Sequence, residues 1–440
     1  MALDNSSHPQ SSPASVRSDL PSALIPTAQS DRVFGWRSQA SLWFSLGVGL
    51  LVMQMGAYLV PALGTQDAAL AIGLGSLLGA ALLAWVAHIG ASTGLGSAGL
   101  MQQTFGTSFA RLPVMLNIAQ LLGWTAFELV IMRDGSVAIA GAQATDPWMG
   151  VGFTLLWGAV LTMLMMASML TLVRKALARY ALPLVVLSLL WITYQFAVQL
   201  SAQGLQTLWQ RPGDGSMGWA GALDLVIAMP VSWLPLVADY ARFGRSARGT
   251  LGGTWLGYGL ANIWCYGLGV MVASVAAPGA DLVTVLLLAQ GGLMALSLIL
   301  IDEIDNAYGD VHSAAVSAQA LLPRWSVRLY GPLIAGLCTV LALLLPMHDL
   351  EPFLIILSSV FVPLFGVMLG RLAWATFGSL PDVGSIDWIA AILWVGGIVV
   401  YNAISQWAPA WGAALPTLLV TITLAKLSAK SMTQGAPAKA

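Results

Sequence analysis

The apolar stretch 114–141 carries a carboxylate and an indole one helical turn apart. Glu128 lies near the middle of this stretch, and Trp124 lies four residues before it, so both side chains share one helix face. A carboxylate at bilayer depth costs about 3 kcal/mol on insertion scales and therefore needs a partner or a function. The indole can stack on a flat, nitrogen-rich ring while the carboxylate accepts from ring N–H and exocyclic amine groups. The alternative is that Glu128 pairs with Arg133 or another helix, and that Trp124 is packing.

Arg133 and Asp134 follow one turn later and are adjacent in the chain. Neighbouring helix positions point about 100° apart, so the two side chains need not pair with each other. We expect an ion pair with another helix or a place in an outer gate.

A second polar cluster lies in the apolar stretch 291–314. Carboxylates at Asp302, Asp305 and Asp310 accompany Asn306 and Ser313 there, and an apolar stretch follows. Hard oxygen ligands suit Na⁺ and ionisable carboxylates suit H⁺, so we expect ion coupling at Asp302, Asp305 and Asn306. The alternative is that the membrane segment ends near residue 300 and that the acids form a solvated end.

Two further apolar stretches lose their helical pattern half-way across. Residues 45–61 contain glycines and Gln54, and residues 228–240 place Ser232 and Trp233 between Pro230 and Pro235. In lipid, backbone freed from helical pairing is tolerated only against protein or a wet cavity. Interrupted segments at matching positions of two halves are typical of the central binding site of a transporter of small solutes.

The elements that carry these residues form an all-α integral membrane protein. Charged residues make up 8% of the chain and apolar ones 58%, against about 25% charged in soluble domains. Stretches of membrane-spanning length predict twelve transmembrane helices, near 41–63, 68–89, 114–141, 148–172, 180–200, 219–240, 252–277, 291–314, 329–346, 352–371, 385–404 and 409–426. The shorter stretch 281–290 predicts an outer re-entrant or interfacial helix.

Basic residues set the orientation. With the N-terminus inside, only Arg133 and Arg211 of the 18 lysines and arginines fall outside. Both termini are therefore expected to be cytoplasmic, in a multi-pass protein of the cytoplasmic (inner) membrane. The basic residues follow topology rather than form a patch, so no nucleic-acid partner is expected. The lipid bilayer is the expected surrounding, and no obligate protein partner is evident.

The spans form one membrane domain, 33–430, arranged as a 5+5 inverted repeat. Repeat one covers about 38–200, repeat two about 219–371, and two peripheral helices about 385–426. Residues 1–32 and 431–440 are polar and predict disordered cytoplasmic tails. The four histidines are scattered and the two cysteines are single, so neither an enzyme nor a cofactor is expected. A channel remains open, and it would differ by showing no dependence on an ion gradient.

The motifs resemble those of the nucleobase–cation symporter-1 family. The run from Ala238 to Arg245 is similar to the family signature after its sixth helix, and Gly123 to Thr125 resembles its third helix. The run from Asp310 to Ser317 is similar to the branch of hydroxymethylpyrimidine permeases, relatives of cytosine permease. The resemblance covers nearly the whole chain.

This resemblance implies a LeuT-like fold with broken helices 1 and 6 and Na⁺- or H⁺-driven uptake by alternating access. It implies that the substrate-binding residues are Gln54, Trp124, Glu128, Ser232 and Trp233, and we add Asp310. The carbonyls of Leu50 and Met53 would bind Na⁺, while carboxylates in helix 8 leave H⁺ coupling open. We expect an aminopyrimidine, with a hydroxymethylpyrimidine thiamine precursor ahead of cytosine. An amino-acid carrier of the same fold is the alternative.

Overall fold

The computed structural model describes residues 23–141, 147–166, 182–277, 280–345, 347, 349–380 and 383–434. Regular structure in these ranges is helical, apart from an isolated parallel bridge between Phe34 and Gly244. A chain in lipid must pair its backbone groups internally, which a helix does within one segment. The prediction of an all-α membrane protein is confirmed.

The helices of the first half lead from the N-terminal segment to the middle of the chain. They are α1 (Trp36–Ser45), α2 (Leu50–Tyr58), α3 (Thr65–Thr93), α4 (Ser97–Phe105), α5 (Arg111–Ile139), α6 (Pro147–Met166), α7 (Leu182–Gln203) and α8 (Leu205–Trp209).

The helices of the second half begin after a loop. They are α9 (Trp219–Ser232), α10 (Leu234–Ala241), α11 (Ala247–Val275), α12 (Leu282–Leu288), α13 (Gly292–Leu321), α14 (Val327–Leu344), α15 (Leu350–Leu372), α16 (Trp388–Trp407) and α17 (Ala414–Gln434).

Each of the twelve predicted spans overlaps one or two of these helices. Among the described residues, nine spans are long and apolar enough to cross a membrane, and the bent pair α1–α2 makes up to ten. Helices α13 and α17 occupy the two remaining predicted positions. Helix α13 contains too many acidic residues to count as an apolar span, and the apolar part of α17 is too short. Helices α16 and α17 pack on α15 and on each other, as expected for two helices outside the repeats.

Two short helices join the spans. The predicted helix at 281–290 is present as α12, and the Asp281 side chain caps it by accepting from the Thr284 N–H at 3.0 Å. Helix α4, between the second and third spans, was not predicted, because its nine residues are too few for a span and too apolar for an obvious loop.

The two helix breaks differ in size. Helices α1 and α2 are bent by 62° across residues 46–49, where Gly47 and Gly49 allow close approach to neighbouring elements. Helices α9 and α10 are separated by Trp233 alone. Pro235 has no N–H to donate to the carbonyl of residue 231, which is enough to interrupt the pairing there.

Part of the predicted N-terminal tail is packed against the bundle. The Thr27 N–H donates to the Gly94 carbonyl at 2.8 Å, and Arg32 Nη1 donates to the Ala91 carbonyl at 2.6 Å. Ala23 is fully buried. The prediction of disorder up to residue 32 is therefore wrong for residues 23–32, because the Thr27 backbone and the Arg32 side chain pair with backbone carbonyls at the end of α3. Residues 1–22 and 435–440 lie outside the described residues.

Glycines let α11 pack directly on the backbone of the first broken helix. A Cβ at Gly269 would lie 1.9 Å from the Met53 carbonyl oxygen, and one at Gly257 would lie 2.2 Å from the Ala40 carbonyl oxygen. Small residues allow such close helix contacts in membranes, where apolar area alone gives little attraction between helices.

Gly269→Ala should therefore destabilise the bundle, whereas Gly267→Ala on the same helix should not. A Cβ at position 267 meets no atom within 4 Å, so that variant gains helix propensity of up to about 1 kcal/mol. At position 269 the backbones must separate, and overpacking of this kind costs about 1–3 kcal/mol. Thermal unfolding of both variants in detergent measures the difference, and equal midpoints would contradict the close packing.

Candidate functional site

Helix α13 pairs with the backbone that the first helix break leaves free. The Leu50 N–H, at the start of α2, donates to the Glu303 carboxylate. Asn306 Nδ2 donates to the Val48 carbonyl at 3.1 Å and contacts the second Glu303 oxygen at 3.4 Å. A Cβ at Gly49 would lie 3.2 Å from Glu303 Oε1, so glycine keeps the carboxylate close to the break. One acidic and one amide side chain thus replace the missing helical hydrogen bonds.

The acidic stretch of α13 lies inside the bundle. Asp302, Glu303, Asn306 and Asp310 are all buried, and α13 continues to Leu321. Ser45 at the end of α1 donates to Asp302 Oδ1 at 3.1 Å. The alternative of a solvated helix end is therefore excluded.

Sequence reasoning missed Glu303. The signal was available, because Glu303 precedes Asn306 by three residues and so shares its helix face. The predicted ion ligands Leu50 and Met53 both lie within α2, and Leu50 presents its N–H, not its carbonyl, to Glu303. Their role in ion binding stays a prediction.

Two buried acceptor atoms beside this break have no hydrogen-bond partner among the described residues. They are Asp302 Oδ2 and Asn306 Oδ1. A buried oxygen acceptor without a donor is costly unless a cation or a proton satisfies it. These two oxygen atoms are therefore suitable ligands for Na⁺, and the Asp302 carboxylate can instead take H⁺. The described residues contain no group of three or more His, Cys, Asp or Glu side chains able to hold a metal ion.

Trp124 and Glu128 form the second part of the site on α5. Their residues are 7% and 3% exposed, and both Trp124 Nε1 and Glu128 Oε2 lack a partner among the described residues. The Phe353 ring meets the Trp124 indole edge to face, with centroids 5.2 Å apart. The Glu128 carboxyl is within electrostatic reach of Asp310 and Glu303. An unpaired donor and an unpaired acceptor thus lie on one helix face beside other acids.

The second break is held by amides of α5. Gln120 Nε2 donates to the Ser232 carbonyl at 3.1 Å and to Asn117 Oδ1 at 3.1 Å. Asn117 Nδ2 donates to the Pro235 carbonyl at 3.2 Å. The Ser232 hydroxyl donates within its own helix, to the Met229 carbonyl at 2.7 Å. Sequence reasoning missed Asn117. The available signal was its position three residues before Gln120, which places both amides on one helix face.

The two candidate stacking tryptophans do not form a ring pair with each other in the described part of the chain. Trp233 meets Trp43 edge to face, with centroids 6.0 Å apart. A ring sandwiched between Trp124 and Trp233 stays a prediction. Gln54 is half-buried on α2, and its role in substrate binding stays a prediction.

A third set of contacts joins the start of α4 and the last turns of α10 to α13 at the expected cytoplasmic side. Asp239 on α10 accepts from the Ser97 N–H at 2.9 Å and from the Ser313 hydroxyl at 2.6 Å. Both Asp239 and Arg242 are buried. These bonds tie α10 to α4 and α13.

Arg133 and Asp134 pair with each other. Arg133 Nε donates to Asp134 Oδ1 at 2.7 Å. The long arginine side chain folds back over the angle between neighbouring helix positions, so the two pair although their spacing does not require it. An ion pair with another helix and a place in an outer gate stay predictions.

The chain matches known permeases over most of its length. Residues 26–375 match the family described as permease for cytosine/purines, uracil, thiamine, allantoin. Cytosine permease of Escherichia coli O157:H7 is 26% identical over 398 residues, which cover 87% of this chain and 90% of that protein.

Solved structures share the fold at low sequence identity. Mhp1, a nucleobase-cation-symport-1 family transporter in a closed conformation with bromovinylhydantoin bound, is 16% identical with a TM-score of 0.76 and 94% coverage of each chain. An outward-open Na⁺-coupled sialic acid symporter with bound substrate is 12% identical with a TM-score of 0.65, covering 96% of this chain and 94% of that one. These likenesses show the LeuT-like fold alone.

Glu303→Gln should lower the thermal stability of the protein. The amide can still accept from the Leu50 N–H, but its NH₂ group then faces the Asn306 donor. Losing a charge-assisted hydrogen bond and opposing two donors costs about 1.5–3 kcal/mol. Ser297→Ala, which removes an exposed bond to the Leu293 carbonyl on the same helix, is the matched control. An unchanged unfolding midpoint for Glu303→Gln would contradict the role of Glu303 at the break.

Proposed function

The chain belongs to the family of permeases for cytosine/purines, uracil, thiamine and allantoin, and on that premise we propose that it takes up an aminopyrimidine by cation-coupled alternating access. This family consists of permeases rather than enzymes. A multi-pass membrane protein with a LeuT-like fold has the architecture for such transport.

The observation that carries the substrate class is the pair of buried, unpartnered polar atoms on α5. Glu128 Oε2 can accept from the amine of such a ligand. The Trp124 N–H lies in the plane of its own indole, so in a stacked complex it is left to donate to a group beside the ligand ring. Asp310 lies within electrostatic reach of Glu128, and two such acids favour a donor-rich or protonated ligand between them. A 4-amino-5-hydroxymethylpyrimidine has these donors.

The proposed pose uses the remaining site residues. Trp124 and Trp233 stack on the two faces of the ring, Gln54 orients its edge, and the polar groups at Ser232 lie at the second break. Each aromatic pair contributes about 0.5–1.5 kcal/mol in addition to the energy of burying its surface area. The pose therefore derives orientation from the carboxylate and affinity from the rings.

Coupling is proposed at the first break. Asp302, Asp305 and Asn306 on α13, with the carbonyls of Leu50 and Met53, would hold Na⁺, or the carboxylates would take H⁺. Glu303 joins this set because it already contacts the start of α2. A bound cation would supply positive charge between α13 and the broken helix.

Cytosine is the second candidate substrate, because a relative at 26% identity is a cytosine permease. An amino-acid substrate is disfavoured, since its carboxylate would face the acids Glu128 and Asp310. A hydroxymethylpyrimidine and cytosine share the amine from which Glu128 would accept a hydrogen bond. Uptake measurements are therefore needed to decide which of the two is transported.

Uptake into proteoliposomes tests the function directly. We expect saturable accumulation of labelled 4-amino-5-hydroxymethyl-2-methylpyrimidine, or of cytosine, when either a Na⁺ or an H⁺ gradient is imposed alone. Vesicles with the protein but without a gradient are the control. Accumulation that ignores both gradients would contradict coupling, and uptake of neither pyrimidine by folded protein would contradict the substrate class.

Glu128→Gln should weaken amino-bearing pyrimidines selectively. Loss of a hydrogen bond to a charged group costs about 1.5–3 kcal/mol, or roughly 10- to 100-fold in affinity. An analogue without the 4-amino group should lose little. Asp67→Asn, at an exposed acid in the first turn of α3, is the matched control. Competition of each compound against uptake measures the effect, and equal losses for both compounds would exclude hydrogen bonding by Glu128.

A further inference from the structure

A cavity of about 1120 Å³ lies between α3, α15 and α17, away from the candidate substrate site. It exceeds the roughly 300–1,000 Å³ typical of small-molecule pockets. Its walls along the helices are apolar and are formed by residues that include Leu78, Leu82, Leu369, Leu415, Leu419 and Ile422. These walls suit hydrocarbon chains rather than a polar solute.

One end of the cavity carries a buried arginine with unused donors. The Arg371 side chain is 10% exposed and pairs through Nη1 with the Asp387 carboxylate. Its Nε and Nη2 groups are buried and have no partner among the described residues. Asp387 also accepts from the Ala390 N–H at 2.9 Å as the cap of α16. Lys426 lines the same cavity, so two positive charges face one negative charge.

Two parallel N–H donors on a guanidinium match the geometry of a phosphate group. Leaving them buried without an acceptor is costly. The position of Arg371 therefore points to an anionic ligand whose phosphate lies at this end of the cavity.

Aromatic and amide groups surround this polar end. Trp85, Trp374 and Trp388 line the cavity, and Trp85 meets Trp374 edge to face with centroids 5.2 Å apart. Tryptophans are enriched at the depth of lipid headgroups. Gln103, another lining residue, has a buried Oε1 acceptor without a partner among the described residues, and it can accept from a headgroup hydroxyl.

We propose that this cavity binds an anionic phospholipid. The phosphate accepts from Nε and Nη2 of Arg371 beside Lys426, and the acyl chains follow the apolar walls of α3 and α17. The charge map predicts that this end faces the cytoplasm, where anionic lipids are concentrated and where basic pockets between helices bind their headgroups. None of Trp124, Glu128 and Trp233 lines the cavity, so the proposal does not depend on the transported substrate.

Native mass spectrometry of the purified full chain tests the proposal. Delipidated protein is titrated with phosphatidylglycerol, with phosphatidylcholine of the same acyl chains, and with inorganic phosphate. We expect phosphatidylglycerol to bind at least tenfold more tightly than phosphatidylcholine, and millimolar phosphate to leave that binding unchanged.

Variants of the cavity residues, with one control outside the cavity, assign the binding. Arg371→Gln removes the phosphate donors, and Ala81→Trp fills the apolar part while leaving the pair of Arg371 and Asp387 intact. Both should weaken phosphatidylglycerol at least tenfold. Arg328→Gln, at an exposed arginine on the same expected side, should change nothing. If Arg371→Gln does not fold, Ala81→Trp and Lys426→Gln carry the test.

Several results would overturn the proposal. Phosphatidylcholine carries the same phosphate beside a cationic choline, so its equal binding would exclude a preference for an anionic lipid. Displacement of the lipid by free phosphate would make the site a simple anion site. Unchanged phosphatidylglycerol binding in both Arg371→Gln and Ala81→Trp would locate the lipid elsewhere on the protein.

Discussion

The backbone left unpaired where α1 gives way to α2 is the constraint on which the rest of the site depends. In lipid, free N–H and C=O groups must be satisfied by protein, because no water is available to replace the helical bonds. Glu303 and Asn306 provide that pairing from α13. An acidic, buried helix therefore has to lie next to the break. Gly49 follows from the same need, because a Cβ there would press on the Glu303 carboxylate, whereas Gly47 lets the break pack closely on Ala261 and Tyr258 of α11.

Helix α13 also connects the other parts of the site. Ser313 donates to Asp239 on α10, and the Ser317 hydroxyl accepts from Asn117 on α5. One helix thus touches the first break, the segment after the second break and the helix that carries Trp124 and Glu128. Alternating access by movement of the broken helices would have to strain or exchange these hydrogen bonds. A cation at the first break would act directly on the contacts of Glu303 and Asn306, and the shared helix α13 is a physical route from there to the substrate site.

Buried polar atoms that lack a partner in the described part of the chain mark both ligand sites that we propose. At Glu128 and Trp124 the unused groups are one acceptor and one donor, which suits a neutral heterocycle with an amine. At Arg371 they are two donors of a charged guanidinium, which suits a phosphate. The surroundings differ in the same sense, since the first site lies among acids inside the bundle and the second opens along apolar helix faces. The same desolvation cost therefore favours different ligands in the two places.

The sequence by itself determined the all-α membrane class, the positions of the spans and the placement of Trp124 and Glu128 on one helix face. These follow from local rules, since span length and helical spacing depend only on neighbouring residues. It also indicated the acidic stretch of α13, but not that Glu303 rather than its neighbours meets the first break. Only the tertiary structure decided this, together with the packing of residues 23–32, the pairing of Arg133 with Asp134 and the cavity at Arg371. Each of these depends on which side chains meet across distant segments or fold back on their own helix, and helical periodicity carries no information about those contacts.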